Sequence, residues 1–463
     1  MVRGPPRARP VPNALTVPDA PSVALPTLRD RVIGGLSWTV VGFAAAQAIR
    51  LGTNLLLTRL LFPEAFGIMA LVQIVLQGIE MFSDAGLRGS VVNHERGEDP
   101  AFLDTVFSFQ AIRGGVLWLI TCLAAWPTAQ FFAVPELVWL IPAAGLRALF
   151  RGFSSTSLLV LVRRVLPAQR VLLDLGGQLV GLLAMVGMAL FITRSVWVLV
   201  AGALVANLFS AVGSHFVPRE QRRPRFGWEP EAARALVGFG RWILISTALT
   251  FLLSQAERGV LGRLLSMADL GRFSIAFLIV QTFTGAVQRL SGNLLFPIYA
   301  ELARDGPQRL RSRMWRVRAA LLAALLPPLW GLTVFGPRVV ELLYDDRYHE
   351  AGWMVQVLAA GAAAQLVAAS AERVILAHGD SWRHMWLQVV RAALLVAGIA
   401  TGGLLAGPEG VIVGAAVSRW IAYAPFAWAV RPYGIWMPGM DGVALALSAA
   451  VAAFALSTAA PGA

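Results

Sequence analysis

Apolar runs of about 20 residues, enough for a helix to span a hydrocarbon core ~30 Å thick, recur along nearly the whole chain. Short polar connections carrying arginine separate them. Thirteen stretches fit. Six lie at 32–57, 66–82, 106–125, 137–153, 172–192 and 196–216. Seven follow at 239–253, 273–290, 319–335, 353–371, 385–405, 411–430 and 443–456. Each is long enough for a helix, and the pattern predicts an all-α integral membrane protein. The charged connection PREQRRPRFGWEPEAARALVG divides it into two transmembrane bundles of six or more helices. The expected organisation is a basic tail (1–31), an N-terminal six-helix bundle (32–217), a linker (218–238), a C-terminal six-helix bundle (239–430) and an extra C-terminal helix (431–463). No fixed-period repeat is visible, although a six-plus-six division fits two related bundles that share only weak hydropathy symmetry.

Composition removes the soluble alternatives. The chain is 57% hydrophobic and only 14% charged, against about 45–50% and about 25% for soluble domains. Lipid must therefore solvate much of its surface. The net charge is +13, and all 39 basic residues are arginine. Those arginines cluster between apolar runs rather than along one face, which argues against a nucleic-acid partner and for the positive-inside rule. Clusters at Arg3/Arg7/Arg9/Arg29/Arg31, Arg147/Arg151/Arg163/Arg164/Arg170, Arg219/Arg222/Arg223/Arg225/Arg234 and Arg304/Arg309/Arg311/Arg313/Arg316/Arg318 all fall on one side if the N-terminus is cytoplasmic. The Pro-rich first ~30 residues lack the apolar core of a signal peptide, so they read as a disordered cytoplasmic tail before a first span that serves as its own insertion signal.

Cofactor and catalytic chemistry find little support. Cys122 is the sole cysteine and the five histidines are scattered, so neither a disulfide framework nor a metal cluster is expected. No cofactor is expected either. No Gly-rich phosphate loop or Ser/His/Asp set is present, and no connection is long enough for a soluble catalytic domain. The chain therefore reads as a non-enzyme. LLYDDRYHEAGW (342–353) offers Asp345 and Asp346 to a metal, but with Arg347 adjacent a solvated turn is the simpler reading.

Local motifs then point to a family. GGLSWTVVGFAAAQAIRLGTNLLLTRLLFPEAFGIMALV (34–72) holds an early Trp, a Gln-x-x-Arg stretch and an Arg-Leu-Leu-x-Pro-x-x-Phe-Gly turn. FSDAGLRGSVVNHERGEDPAFLDTVFSFQAIRGG (82–115) holds an Asp-x-Gly-Leu turn, and LVRRVLPAQRVLLDLGG (161–177) an Arg-containing link. These resemble the Wzx-type, colanic-acid-exporter-like oligosaccharide flippases of the MATE-related superfamily. The resemblance covers about residues 32–180 and is carried by architecture beyond them. It implies two bundles around a central cavity that opens alternately to either face of the bacterial inner membrane. The cargo would be an undecaprenyl-diphosphate-linked oligosaccharide for O-antigen, capsule or exopolysaccharide, with membrane lipids around the protein and a glycan polymerase or glycosyltransferases as contacts. Family members usually have 12 or 14 spans, so thirteen departs from the pattern at the C-terminus.

Charges inside spans are costly unless they face a cavity or a partner, and arginine's planar fork suits a phosphate head group. Arg50 is the leading candidate, because Gln47 and Asn54 lie three before and four after it on one helix face. A polar packing cluster is the alternative there. Arg241 opens the seventh span at a position matching the first, unless it snorkels to the interface. Arg289, beside Gln288, with Gln281 two turns before and Asn293 one turn after, forms another stripe or an interfacial anchor. Arg113 is a further cavity candidate, whereas Arg391 and Arg419 sit near span ends as topological charges. Glu80 and Asp84, four apart, are candidates for coupling to a proton or Na⁺, unless Arg88 pairs with Asp84. Glu257 with Arg258 and Glu372 with Arg373 read as solvated interfacial pairs.

Three other functions share parts of this pattern. A cation-coupled multidrug antiporter would favour acidic cavity residues, a lipid II flippase would share the basic cavity, and a polyprenol-dependent membrane glycosyltransferase would need a larger outer loop.

Overall fold

The computed structural model describes residues 28–82, 98–163, 168–216, 224–230, 243–290, 307–378 and 380–459. Among them every regular element is a helix. The first group is α1 (Leu28–Leu60), α2 (Pro63–Phe82), α3 (Pro100–Phe132), α4 (Leu137–Gly152), the short α5 (Ser157–Arg163), α6 (Ala168–Phe191) and α7 (Trp197–Gly213). The second is α8 (Ile243–Leu264), α9 (Met267–Leu290), α10 (Pro307–Leu343), α11 (Ala351–Ala377), α12 (Ser381–Ile421), α13 (Tyr423–Val430) and α14 (Pro438–Ala459). Seven helices among the described residues are long and apolar enough to cross a membrane, and the chain is a multi-pass membrane protein with its large apolar side chains turned outward. Leu123 (70% exposed), Leu183 (70%), Leu404 (87%) and Leu405 (87%) are outward-facing, a surface that only lipid can solvate.

At 1.5 Å per residue the 41 residues of α12 would reach about 60 Å, twice the hydrocarbon thickness. The chain instead breaks at Ala406 (φ −140°, ψ 23°) and Gly407 (φ 59°, ψ −141°). Gly407 adopts a positive φ that a side chain would strain, and Pro408 restarts the helix. Beyond the break the helix folds back on itself: a Cβ at Gly402 would run into the Gly410 carbonyl, and one at Gly414 into that of Gly398. Two Gly-x-x-x-Gly faces thus meet backbone to backbone. One element accounts for the stretches 385–405 and 411–430, with α13 completing the second.

The two groups meet along α2, which packs on α9 and α8. The closest approach is where α2 and α9 begin. A Cβ at Gly67 would strike the Met267 carbonyl, and one at Gly271 that of Pro63. Position 67 meets 267 and position 271 meets 63, so each helix start offers the same two positions to the other, the self-complementary contact of a local two-fold axis. The sequence carries the matching repeat at a constant offset of 204: Gly34, Trp38, Arg59-Leu60-Leu61 and Gly67 recur as Gly238, Trp242, Arg263-Leu264-Leu265 and Gly271. The expectation of no fixed-period repeat is therefore corrected. The motif is spread over 34 positions in few identities, which a scan for contiguous similarity misses.

Candidate functional site

The stripe on α1 faces the second group of helices. Tyr344 at the end of α10, only 6% exposed, donates its hydroxyl hydrogen to Asn54 Oδ1 at 3.0 Å. One turn later the Arg347 guanidinium donates to the Thr58 carbonyl at 3.2 Å. Asn54 fixes the direction of its face, so Arg50 and Gln47, one and two turns earlier, point the same way. Arg50 is exposed, while Gln47 and Asn54 are half-buried. Arg113 is half-buried on α3. Arg289 belongs to α9, with its side chain outside those described, and Arg241, Asp84, Arg88 and Asn293 lie outside the described residues.

The end of the molecule at the α1–α2 and α8–α9 turns is closed. Besides the crossing of α2 and α9, Arg272 donates to Asp269 (2.5 Å), to Glu350 (2.6 Å) and to the Arg347 carbonyl (2.9 Å). Arg347 is also bound by Asp345, so part of the 342–353 segment plugs against α1, while its Asp346, His349 and Glu350 side chains stay exposed as in a solvated turn. Asp345 accepts from Arg347 through Oδ2 alone, and its Oδ1 is buried without a hydrogen-bond partner among the described residues; among those residues no three His, Cys, Asp or Glu gather as metal ligands.

Toward the other end of α2, Gln73, Gln77 and Glu80 recur at the i, i+4, i+7 spacing that places them on one face. With Met81 and Arg147 they line a cavity of about 360 Å³. Its wall reaches the second group through Gln255, whose amide donates to Gln77 Oε1 at 2.8 Å. Arg147 Nε donates to Glu80 Oε1 at 2.7 Å and Arg151 Nη1 to Glu80 Oε2 at 3.0 Å, so one carboxylate bridges two guanidinium groups. Arg151 Nε also reaches Asn207 Oδ1 at 3.3 Å. The last two turns of α4 hold the two arginines, one turn apart. Its orphan carbonyls are met by the Gln110 amide of α3, which donates to those of Arg151, Gly152 and Ser154 at 2.7, 3.3 and 3.2 Å. Glu80 thus sits with Arg147 and Arg151, which the sequence assigns to a cytoplasmic cluster. The overlooked signal is the pair of spacings: Gln73–Gln77–Glu80 on one helix and Arg147–Arg151 on another.

In the second group the acids find distant partners. Glu257, 4% exposed, accepts from Arg419 Nη2 at 2.6 Å, and Glu372 from Arg391 Nη1 at 2.7 Å. Arg258 lies over the Phe277 ring at 3.9 Å. Glu257–Arg258 is therefore not a solvated pair, the side chain of Arg373 lies outside those described, and Arg391 and Arg419 are interhelical partners rather than topological charges. Adjacent residues point about 100° apart around a helix and do not face each other.

A family model described as polysaccharide biosynthesis protein matches residues 56–352. The succinoglycan biosynthesis transport protein ExoT of Rhizobium meliloti (strain 1021) is 21% identical over 439 residues, 93% of this chain and 88% of that protein. The lipopolysaccharide biosynthesis protein WzxC of Escherichia coli (strain K12) is 20% identical over 393 residues, 84% and 78% of the two chains. Among solved structures, the lipid II flippase MurJ in an inward closed conformation superposes with a TM-score of 0.63 at 10% identity, covering 91% of this chain and 98% of its own. An inward-facing multidrug resistance MATE family transporter superposes with a TM-score of 0.61 at 14% identity, covering 84% and 94%. The fold is that of these membrane transporters.

Proposed function

Because the chain belongs to the polysaccharide biosynthesis protein family, we propose that it is a flippase for an undecaprenyl-diphosphate-linked oligosaccharide, moved across the bacterial cytoplasmic membrane by alternating access. It is not proposed to be an enzyme: the relatives named above are transport and biosynthesis proteins of exported polysaccharides, and the chemistry needed is passage of a charged head group. One observation carries the reading. The Asn54–Tyr344 contact turns the Gln47–Arg50–Asn54 face toward the junction of the two helix groups, where a positive, hydrated lining lowers the barrier to an anion. With the N-terminus cytoplasmic, as the arginine clusters require, the plug of Arg272 and Arg347 lies at the periplasmic end and the path closes there. The two groups then act as N-terminal (32–217) and C-terminal (239–430) bundles, with 431–463 appended. From the sequence, Arg113, Arg241 and Arg289 are proposed as further basic groups on the path, and Glu80 with Asp84 as the pair that couples it to a proton or Na⁺.

The MATE-type antiporters share the fold, and cationic drugs would need the opposite lining charge. A lipid II cargo would use the same lining and differ only in its sugar. The test is export in a strain lacking its own polysaccharide exporter. The full chain restores surface glycan and Arg50→Ala abolishes it at equal membrane abundance. Full display with Arg50→Ala removes the stripe from the path, and failure of the wild-type chain to restore export of any glycan overturns the reading.

A further inference from the structure

Glu80 is placed where a bound anion would be placed. Its two oxygens are divided between Arg147 Nε at 2.7 Å and Arg151 Nη1 at 3.0 Å, the bridged geometry that guanidinium groups offer to a phosphate. Both helix positions are rigid: α4 is capped by Gln110, and α2 is pinned at its start by the Gly67–Gly271 crossing. The assembly is not sealed. The side chains of Arg147, Glu80 and Arg151 are 19%, 27% and 60% exposed, and Arg147 and Glu80 line the cavity of about 360 Å³. Among these three side chains two guanidinium groups stand against one carboxylate. Gln73 and Gln77, on the same wall, supply amide donors and acceptors of the kind that bind sugar hydroxyls. Among the described residues, charged groups also near Arg151 are Asp174 and, 3.9 Å from Asp174, Arg170, both on α6.

We propose that Arg147 and Arg151 form a diphosphate-binding site in which the Glu80 carboxylate is a built-in occupant that the head group displaces. The inference rests on the reading above that the cargo is anionic, and it adds a location and a competitor. An internal carboxylate keeps the two guanidinium groups paired and correctly spaced while the site is empty. It also weakens binding, because the ligand must break two charge-assisted bonds before making its own. Release is eased for the same reason, which suits a transporter that must let go.

The probe is inorganic pyrophosphate, titrated into the full-length protein in zwitterionic nanodiscs. The expected result is weak binding to the wild type, about tenfold tighter binding to Glu80→Gln, and loss of binding in Arg147→Ala. Arg147→Lys, which keeps the charge without the fork, loses most of the affinity. If Glu80→Gln does not fold, Arg147→Ala and Arg147→Lys decide alone: unchanged affinity in both overturns the site. Glu80→Gln binding no tighter than wild type overturns the competitor. Undecaprenyl diphosphate in the nanodisc should displace pyrophosphate, supporting a lipid-linked diphosphate. Equal displacement by phosphatidylglycerol would overturn the diphosphate assignment in favour of a general phospholipid head group. Pyrophosphate binding that follows this pattern in a protein that restores no glycan export would leave the site standing and remove the functional reading. Glycan export with binding indifferent to all three variants would do the reverse.

Discussion

Arg318 with Asp441, and Arg147 and Arg151 with Glu80, use the same chemistry in opposite surroundings. The first pair, joining α10 to α14, is 1% exposed on both side chains at 2.7 Å. Every direction around it is occupied: Arg318 also donates to Ser370 Oγ at 3.0 Å and the Val367 carbonyl at 3.3 Å, and Asp441 accepts from the Tyr423 hydroxyl at 2.9 Å. The second assembly has unequal charge, partial exposure and a cavity beside it. A saturated buried pair is a lock that holds the last helix to the bundle, whereas a partly exposed one beside a cavity can exchange partners.

That contrast can be broken at its strong end first. Asp441→Ala leaves Arg318 charged and unpaired among apolar residues, a loss of about 3–5 kcal/mol. The expected outcome is a sharp fall in folded yield and melting temperature, read by size-exclusion of the detergent-solubilised protein; a normal elution profile and Tm would mean that α14 is held by packing alone. Gly271→Leu comes next. Overpacking typically costs about 1–3 kcal/mol, and here the wedge falls at the Pro63 carbonyl. Beyond lowering Tm, it should raise labelling of a cysteine introduced at Thr58 by an impermeant reagent, because the plug loses its seat. Unchanged labelling would separate the crossing from the closure.

Arg147→Ala should be far milder for the fold. The pair it removes is 19% and 27% exposed and Glu80 keeps its bond to Arg151, so Tm should fall less than in Asp441→Ala while glycan export falls away. A large Tm loss would make this assembly a second lock. The smallest effect belongs outside the membrane, at Asp380 before α12. The Arg383 backbone N–H donates to its carboxylate at 2.9 Å and the Tyr433 hydroxyl at 2.7 Å, and these bonds, the backbone one foremost, hold its pKa below the usual 3.8. A depressed folded-state pKa gives stability that is complete above the unfolded value and lost as pH falls through the folded one. Asp380→Asn should therefore melt slightly earlier than wild type at neutral pH, and the gap should close as pH falls below about 3.8. A gap that persists in acid would assign the effect to packing.

How much of this was legible in the sequence follows from what each feature depends on. Span positions depend on local apolarity: among the described residues the apolar stretches coincide with helices, seven of them long and apolar enough to cross a membrane, and the Gly-x-x-x-Gly faces of α12 are readable once the Pro408 break is noticed. The direction of the α1 stripe is not local. It needed Tyr344, nearly 300 positions away, and only helix periodicity could say that Gln47, Arg50 and Asn54 would share whatever direction that was. Charge partners were least legible, since sequence adjacency suggested Glu257–Arg258 where the fold supplies Arg419. Arg147 and Arg151 looked like topological charge because their contact with Glu80 arises only when α2 packs against α4.

The most direct measurement is transbilayer movement of a fluorescent undecaprenyl-diphosphate-linked oligosaccharide in proteoliposomes holding the purified full-length chain. Wild-type protein should speed its crossing well above protein-free vesicles, and Arg50→Ala and Arg147→Ala should return it to the background rate. Equal rates with and without the protein, or undiminished crossing by both variants, would contradict an arginine-lined path for an anionic lipid.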